Sequence, residues 1–196
     1  MTLTNEIVKQ RLAEKFGEEL TNWSEPYGML TFTAPKDLNL KILQFLFDDE
    51  QLHFQFLADL QAVHYPHNKG EELAVVYHVH NLRDNIRIRF KVFTDIQKPD
   101  VYSASALYQS ANWMERETYD FFGVNFIGHP NLIRVLNVDE MDYFPMRKEF
   151  PLEDQSRIDK DDEMFGRGGA VGFGNEIGNH HDTIAEDNKP DKSMEI

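Results

Sequence analysis

Trp113–Pro151, WMERETYDFFGVNFIGHPNLIRVLNVDEMDYFPMRKEFP, is the stretch around which the rest of the chain is organised. It opens with helical spacing and closes as a proline-punctuated arm. At 100° per residue, Trp113, Arg116, Glu117 and Asp120 share one arc. Met114, Tyr119, Phe121 and Phe122 fill the remainder, and Glu115 falls between Phe122 and Tyr119. A carboxylate inside an apolar stripe is costly unless a cation or several donors meet it. Arg116 and Asp120 stand four apart, the spacing of an ion pair along a helix. Gly123 is expected at the left-handed position that ends the helix, with Val124 as its apolar follower. Beyond it, His129-Pro130, Phe144-Pro145 and Phe150-Pro151 each hold the residue before proline extended.

Working outward toward the N-terminus, Ser103–Phe122 carries helical material, read as two pieces broken near Ser110–Asn112. Three strands precede it. Leu57–Tyr65 alternates least cleanly. Leu73–His80 places Leu73, Val75, Tyr77 and Val79 on one face. Ile86–Phe93 points Ile86, Ile88, Phe90 and Val92 inward and Arg87, Arg89 and Lys91 outward. The Arg83-Asp84-Asn85 link suits an antiparallel hairpin. Further upstream, Leu38, Ile42, Phe45 and Leu46 give helical spacing after Pro35, a residue suited to a first turn. Strand material at Asn22–Ser24 and Met29–Thr33 is separated by a Pro26-Tyr27-Gly28 turn. Residues 4–17 read as an amphipathic helix with Thr4 as N-cap, Val8, Leu12 and Phe16 on one face, and Gly17 as its stop.

Helix, strands, helix, three strands, helices is an α+β order: a two-layer domain with helices packed on a mixed or antiparallel sheet, followed by an extended C-terminal arm and tail. The expected divisions are a domain over 1–123, the arm over 124–152, and an acidic, glycine-rich tail over 153–196. The tail carries 12 acids and 5 bases, a net −7 of the chain's −14. It lacks the apolar surface to offset its ordering entropy and is expected to order only on partners, through Phe165, Val171, Phe173 and Ile177.

Composition excludes several functions. The acidic balance argues against nucleic-acid binding, which needs lysine and arginine in excess. No apolar run reaches the ~20 residues of a membrane helix. The first residues, Met1-Thr2-Leu3-Thr4-Asn5-Glu6, lack the pattern of a leader and read as a mature cytoplasmic start. The absence of cysteine removes disulfides, thiol catalysis and thiolate-held iron–sulfur clusters from this chain.

The run Ala111-Asn112-Trp113-x-Glu115-Arg116-Glu117-x-x-Asp120-Phe121-Phe122-Gly123, followed by Gly128-His129-Pro130-x-Leu132, closely resembles the signature of the C-type subunit of respiratory complex I. Tyr77-His78, Ile86-Arg87-Ile88-Arg89 and Pro145-Met146-Arg147-Lys148-Glu149-Phe150-Pro151 are similar to the same family, so the resemblance runs from about Leu57 to Leu152. The chain departs from the family pattern at Ile133, where an arginine is usual, leaving Arg134 alone. It departs again at His64, where an aspartate is usual, and within Asp142-Tyr143-Phe144, where a glycine is expected before Pro145.

The resemblance implies a non-catalytic structural subunit in the peripheral arm of a proton-translocating NADH:quinone oxidoreductase, on the cytoplasmic face of a bacterial inner membrane. It implies packing on the D-type quinone-site subunit and the B- and I-type iron–sulfur subunits, with no direct membrane span. FMN, iron–sulfur clusters, NADH and quinone would be bound by other subunits and none by this chain. The residues it marks for interface use are Trp113, Glu115, Arg116, Glu117, Asp120, Phe121, Phe122, Gly123, His129, Pro130, Arg134, Pro145, Arg147 and Lys148.

Other chemistry is weighed beside this. Glu115, Glu117 and Asp120 lack the nucleophile or metal set that acid–base catalysis would need, and Arg116 offers them a partner. His78 and His80 share a strand face, but no third ligand stands at a recognised zinc spacing, and His180-His181 lie in the tail. Gly166–Gly172 is neither a GxGxxG nor a GxxxxGK loop. Arg87, Arg89 and Lys91 form a basic stripe, either a solvated strand face or an electrostatic dock for an acidic partner. Two rival functions stand beside the leading one: the equivalent subunit of a membrane-bound hydrogenase or of a quinone reductase not fed by NADH, and an independent soluble enzyme built on the histidines and carboxylates.

Overall fold

The computed structural model describes residues 3–150. Expectations about the tail, including its anchors, its glycine run and His180-His181, fall outside the described residues.

The first helix, α1, spans Asn5–Phe16, with the Thr4 side chain accepting from the Ile7 N–H and Gly17 at its C-cap. Strands β1 (Thr21–Ser24) and β2 (Leu30–Ala34) flank a short turn at Pro26–Gly28. Helix α2 covers Asn39–Asp48. Pro35 lies just ahead of the short turn Lys36–Leu38, outside the helical residues, with an extended ψ of 143°. Strands β3 (Phe56–His64), β4 (Leu73–Asn81) and β5 (Ile86–Thr94) follow. The sheet order is β1-β2-β5-β4-β3, with β2 and β5 parallel and the other neighbours antiparallel. This is the expected α+β mixed sheet.

One face of the sheet makes the core. Phe32 stacks on Phe90 at 5.4 Å between ring centroids, and Phe90 on Tyr77 at 4.7 Å. Val8 and Leu12 of α1 and Ile42, Leu43 and Leu46 of α2 are buried in the same cluster. Each such side chain contributes about 1.5–3 kcal/mol relative to exposure. The opposite face carries the alternate residues, among them Arg87, Arg89 and Lys91.

Two findings depart from the sequence reading. Strands β6 (Asp100–Tyr102) and β7 (Asn125–Ile127) form a small parallel pair that short, weakly patterned segments did not announce. Helix α3 begins only at Ala111 and runs to Phe122, so Ser103–Ser110 is not a helix. Instead Leu107 and Tyr108 both donate to the Ala104 carbonyl at 3.0 Å, closing one turn. The Ser103 hydroxyl accepts from the Ser105 N–H at 3.1 Å, a local bond that competes with helix.

Helix α3 and the turn leading into it are fastened to β3 and the residues just before that strand by three bonds. Tyr108 Oη donates to the Phe54 carbonyl at 2.7 Å, Ser110 Oγ to Leu57 O at 3.3 Å, and Thr118 Oγ1 to Leu60 O at 3.5 Å. The helix therefore presents its other side and its C-terminal end to the arm.

Candidate functional site

A helix leaves its last four carbonyls without intrahelical donors. In α3 each finds one. Gly123 N–H donates to Tyr119 O at 2.8 Å, Arg134 Nη1 to Asp120 O at 3.0 Å, Met146 N–H to Phe121 O at 3.1 Å, and Arg147 Nε to Phe122 O at 2.8 Å. Three of the four donors come from the arm, so the arm serves as the cap of the helix. Gly123 is left-handed at φ 76°, as expected, and has a second constraint. A Cβ there would lie 2.4 Å from Phe144 Cε2 and 2.7 Å from an Arg147 terminal nitrogen.

Asp120 is the centre of this arrangement. Its side chain is fully buried and accepts from Arg134 Nη1 at 2.7 Å, from the backbone N–H groups of Val135, Leu136 and Asn137 at 3.0, 2.8 and 2.9 Å, and from Asn137 Nδ2 at 3.1 Å. Burial alone would raise its pKa. The N–H groups of Asn137 and Leu136, the Arg134 guanidinium and the Val135 N–H outweigh it and hold the carboxyl well below the usual range. Arg134 spends its other terminal nitrogen on Met141 O at 2.7 Å and Tyr143 O at 3.1 Å. One ion pair thus fixes the loop from both sides.

The Arg116–Asp120 pair expected from spacing does not form. The five donors from the arm surround Asp120, and Arg116 turns the other way. Its guanidinium lies 4.7 Å from the Trp113 ring centroid and donates to Ile133 O and Arg134 O, both at 3.2 Å. It is likewise no partner for Glu115. That carboxyl, also fully buried, meets donors rather than a cation: Ser103 Oγ and Ala104 N–H, each at 2.6 Å. Burial pushes its pKa up to about 7, against the opposing pull of the Ser103 and Ala104 bonds. His129 Nε2 lies 4.0 Å from Glu115 Oε2 but donates to Asn112 O at 3.0 Å, while its Nδ1 accepts from the Asn131 N–H at 3.0 Å.

The remaining residues sort by position. Phe144 lies under Arg134 and Arg147, 5.2 and 4.7 Å from their guanidinium carbons, and meets Tyr119 edge-on at 6.0 Å. Phe121, Phe122, Pro145 and Arg147 are half-buried, whereas Glu117, Pro130 and the Lys148 side chain are exposed. The Lys148 N–H donates to His64 Nδ1 at 2.9 Å, tying the arm to β3. Ser103, Asn137, Phe144 and His64 were not among the expected site residues. Their contacts join separate segments of the chain, and only the departures from the family pattern at His64 and within Asp142-Tyr143-Phe144 offered a signal.

Arg87, Arg89 and Lys91 lie elsewhere, on the open sheet face. Their β4 neighbours are His80, His78 and Val76. Arg89 Nε donates to Thr31 Oγ1 at 3.3 Å. On the same face, His78 Nδ1 lies 3.3 Å from Asp59 Oδ2, and His80 Nε2 bonds Asn85 Oδ1 at 3.0 Å.

The α3–arm site offers features suited to binding. Glu115, its carboxyl pKa pushed up to about 7 by burial, has no exposed surface of its own. Asp120 is saturated by donors. What the site does present is a row of large apolar side chains along the loop: Ile133, Leu136, Val138, Tyr143 and Met146 are all exposed, beside Trp113.

The family model described as the respiratory-chain NADH dehydrogenase, 30 Kd subunit, matches residues 32–156. The C subunit of the NADH-quinone oxidoreductase of Nocardioides sp. is 42% identical over 125 residues, covering 64% of this chain and 50% of that protein. The same subunit of Citrifermentans bemidjiense is 39% identical over 147 residues, covering 75% of this chain and 89% of that one. The chain spans about half the length of the Nocardioides and Streptomyces coelicolor relatives it matches. Among solved structures, a trypsin-resistant fragment of Nqo5 superposes with a TM-score of 0.55 at 28% identity, over 64% of this chain and 98% of that one. A chain of the membrane-bound sulfane sulfur reductase, an archaeal respiratory membrane complex, shares the fold, with a TM-score of 0.64 at 24% identity over 75% of this chain and 85% of its own.

Proposed function

The chain belongs to the family of the respiratory-chain NADH dehydrogenase 30 Kd subunit, and from that premise we propose that it is a non-catalytic structural subunit of a proton-translocating NADH:quinone oxidoreductase. It holds together the peripheral arm at the cytoplasmic face of a bacterial inner membrane. Its partners are the D-type quinone-site subunit and the B- and I-type iron–sulfur subunits, which carry the redox groups together with the flavin-bearing part of the complex. The observation that carries this reading is the loop after α3. A buried carboxylate fixes its backbone while Leu136 and Val138 stand 64% and 62% exposed. Rigid, outward-facing apolar residues supply binding area with little further entropy to lose. Among the described residues no helix is long and apolar enough to cross a membrane.

The test is affinity purification of the tagged chain from its own membranes in mild detergent, followed by mass spectrometry and optical spectroscopy. The expected result is recovery with iron–sulfur and membrane subunits and a flavin signature. The identity of the electron-input subunits then separates an NADH-fed complex from a hydrogenase or another quinone reductase. Recovery of the chain alone, from cells in which the complex is present, overturns the proposal.

A further inference from the structure

We propose that the open face of the five-stranded sheet, centred on Arg87, Arg89 and Lys91, is a second docking surface, one that takes an extended acidic segment of a partner polypeptide. The proposal rests on the reading that the chain works within an assembly, but it concerns a face separate from the α3–arm site.

The three cations occupy alternate positions on β5 and therefore project from one face about 6.6 Å apart, twice the rise per strand residue. Alternate side chains of an extended partner segment repeat at the same distance, so carboxylates at every second residue would meet the cations one to one. Among the described residues, the strand positions directly paired with these three cations carry no acids. Arg89 lies between His78 and Thr31, Lys91 between Val76 and Thr33, and Arg87 beside His80. One strand further out, Asp59 lies 3.3 Å from His78. In a chain with a net charge of −14, this face has the opposite sign to the whole. Long-range repulsion disfavours continuous polyanions such as nucleic acid, whereas a short acidic segment needs only local complementarity.

The borders of the face have the makings of an interface. At the Arg87 end a cleft of about 460 Å³ is lined in part by Arg87, His80, Asn85 and Tyr27. Tyr27 stands fully in solvent and holds a left-handed φ of 56°, a costly conformation for an aromatic residue. Its turn is fastened to α1 by Asn5 Nδ2 donating to Gly28 O at 3.0 Å. Phe56, 45% exposed, lies edge-on to His80 with centroids 6.4 Å apart. Exposed aromatics around arginines are the composition that concentrates binding energy in protein interfaces.

Two measurements test this. In the first, the full chain is titrated with a fluorescent peptide of alternating glutamate and threonine, beside an oligonucleotide of similar length and phosphatidylglycerol vesicles. The peptide is expected to bind, more weakly as salt rises, and at least about tenfold more weakly to the R87E/R89E/K91E variant. The R87Q/K91Q variant keeps the Arg89–Thr31 bond and should fall between; circular dichroism melting verifies folding of each. Absence of peptide binding, equal binding by the folded variants, or tighter binding of oligonucleotide or vesicles overturns the proposal.

In the second, the assembly purified from membranes is treated with a zero-length carbodiimide. Lys91 is expected to couple to a carboxylate of another polypeptide, and Lys91→Gln to abolish that product. An intact assembly in which Lys91 couples to nothing, or only to the chain's own acidic residues, overturns the docking face and leaves the structural role standing. Recovery of the chain alone breaks the structural reading instead, and the peptide titration then decides the face by itself.

Discussion

Helix α3 carries two fully buried carboxylates, Glu115 and Asp120, five residues apart and so about 140° around the helix from one another. Their surroundings push them in opposite directions. Glu115 faces the Ser103–Ala104 turn, receives two hydrogen bonds and has its pKa raised to about 7. Asp120 faces the arm, receives five bonds including one from Arg134, and stays ionised well below the usual range. Equal burial therefore does not mean equal charge. The number of donors and the presence of a cation decide, because desolvation penalises only what is left uncompensated.

The largest test of this contrast is Asp120→Ala. It strips the partner from the buried Arg134 and from three backbone N–H groups, and it should cost about 3–5 kcal/mol in urea unfolding. Limited proteolysis should open the loop around residues 133–143 first. A loss below about 1 kcal/mol, the scale of an exposed pair, would break the idea that Asp120 organises the arm.

Glu115 gives a test by pH. Its raised folded-state pKa means that the native state holds a proton which the unfolded chain releases. Its stabilising contribution is full below about 4.5, falls as pH rises, and has gone above about 7. The change amounts to about 3 kcal/mol. Glu115→Gln keeps an acceptor for Ala104 and offers an N–H to Ser103, so its stability should stay flat across that window. Parallel pH profiles for wild type and variant would sink the assignment. Asp120 has the opposite sign. Its stabilisation persists above the ordinary carboxylate range and fades only as the solution becomes strongly acidic.

Gly123→Ala should cost about 1–3 kcal/mol, from the left-handed backbone and the collision with Phe144, and should loosen the arm before the sheet. Hydrogen exchange that speeds up at Met146 and Arg147 but not in β4 would sharpen the division between the arm and the rest. The smallest effects belong to the outer rim. Arg116→Ala gives up a stack on Trp113 and two bonds to carbonyls, for about 1 kcal/mol, with a larger effect on assembly than on folding. Glu117→Ala, on an exposed side chain, should leave thermal unfolding unchanged.

Much of this was legible in the sequence because it was local. The helix and strand periods, the Thr4 cap and the left-handed Gly123 all depend on residues within a few positions of one another. The need of Glu115 for a cation or several donors was also readable from its neighbours. The identity of the donors was not, since Ser103 and Ala104 stand 12 and 11 residues away across a non-helical turn. The Arg116–Asp120 pair shows the limit from the other side: correct helical spacing yielded to three arm N–H groups and a second arginine. A few tenths of a kcal/mol from an exposed i,i+4 pair cannot compete with a saturated buried one.

By itself, then, the sequence determined the α+β order of elements, the apolar face of each strand, the end of α3 and the family. It could do so because periodicity and motif are properties of neighbouring residues. Only the tertiary structure decided which arginine holds Asp120, that Glu115 keeps its proton toward neutrality, and that the arm caps the helix. Each of those outcomes depends on the dielectric and the donors that distant segments bring together, and neither exists until the chain has folded.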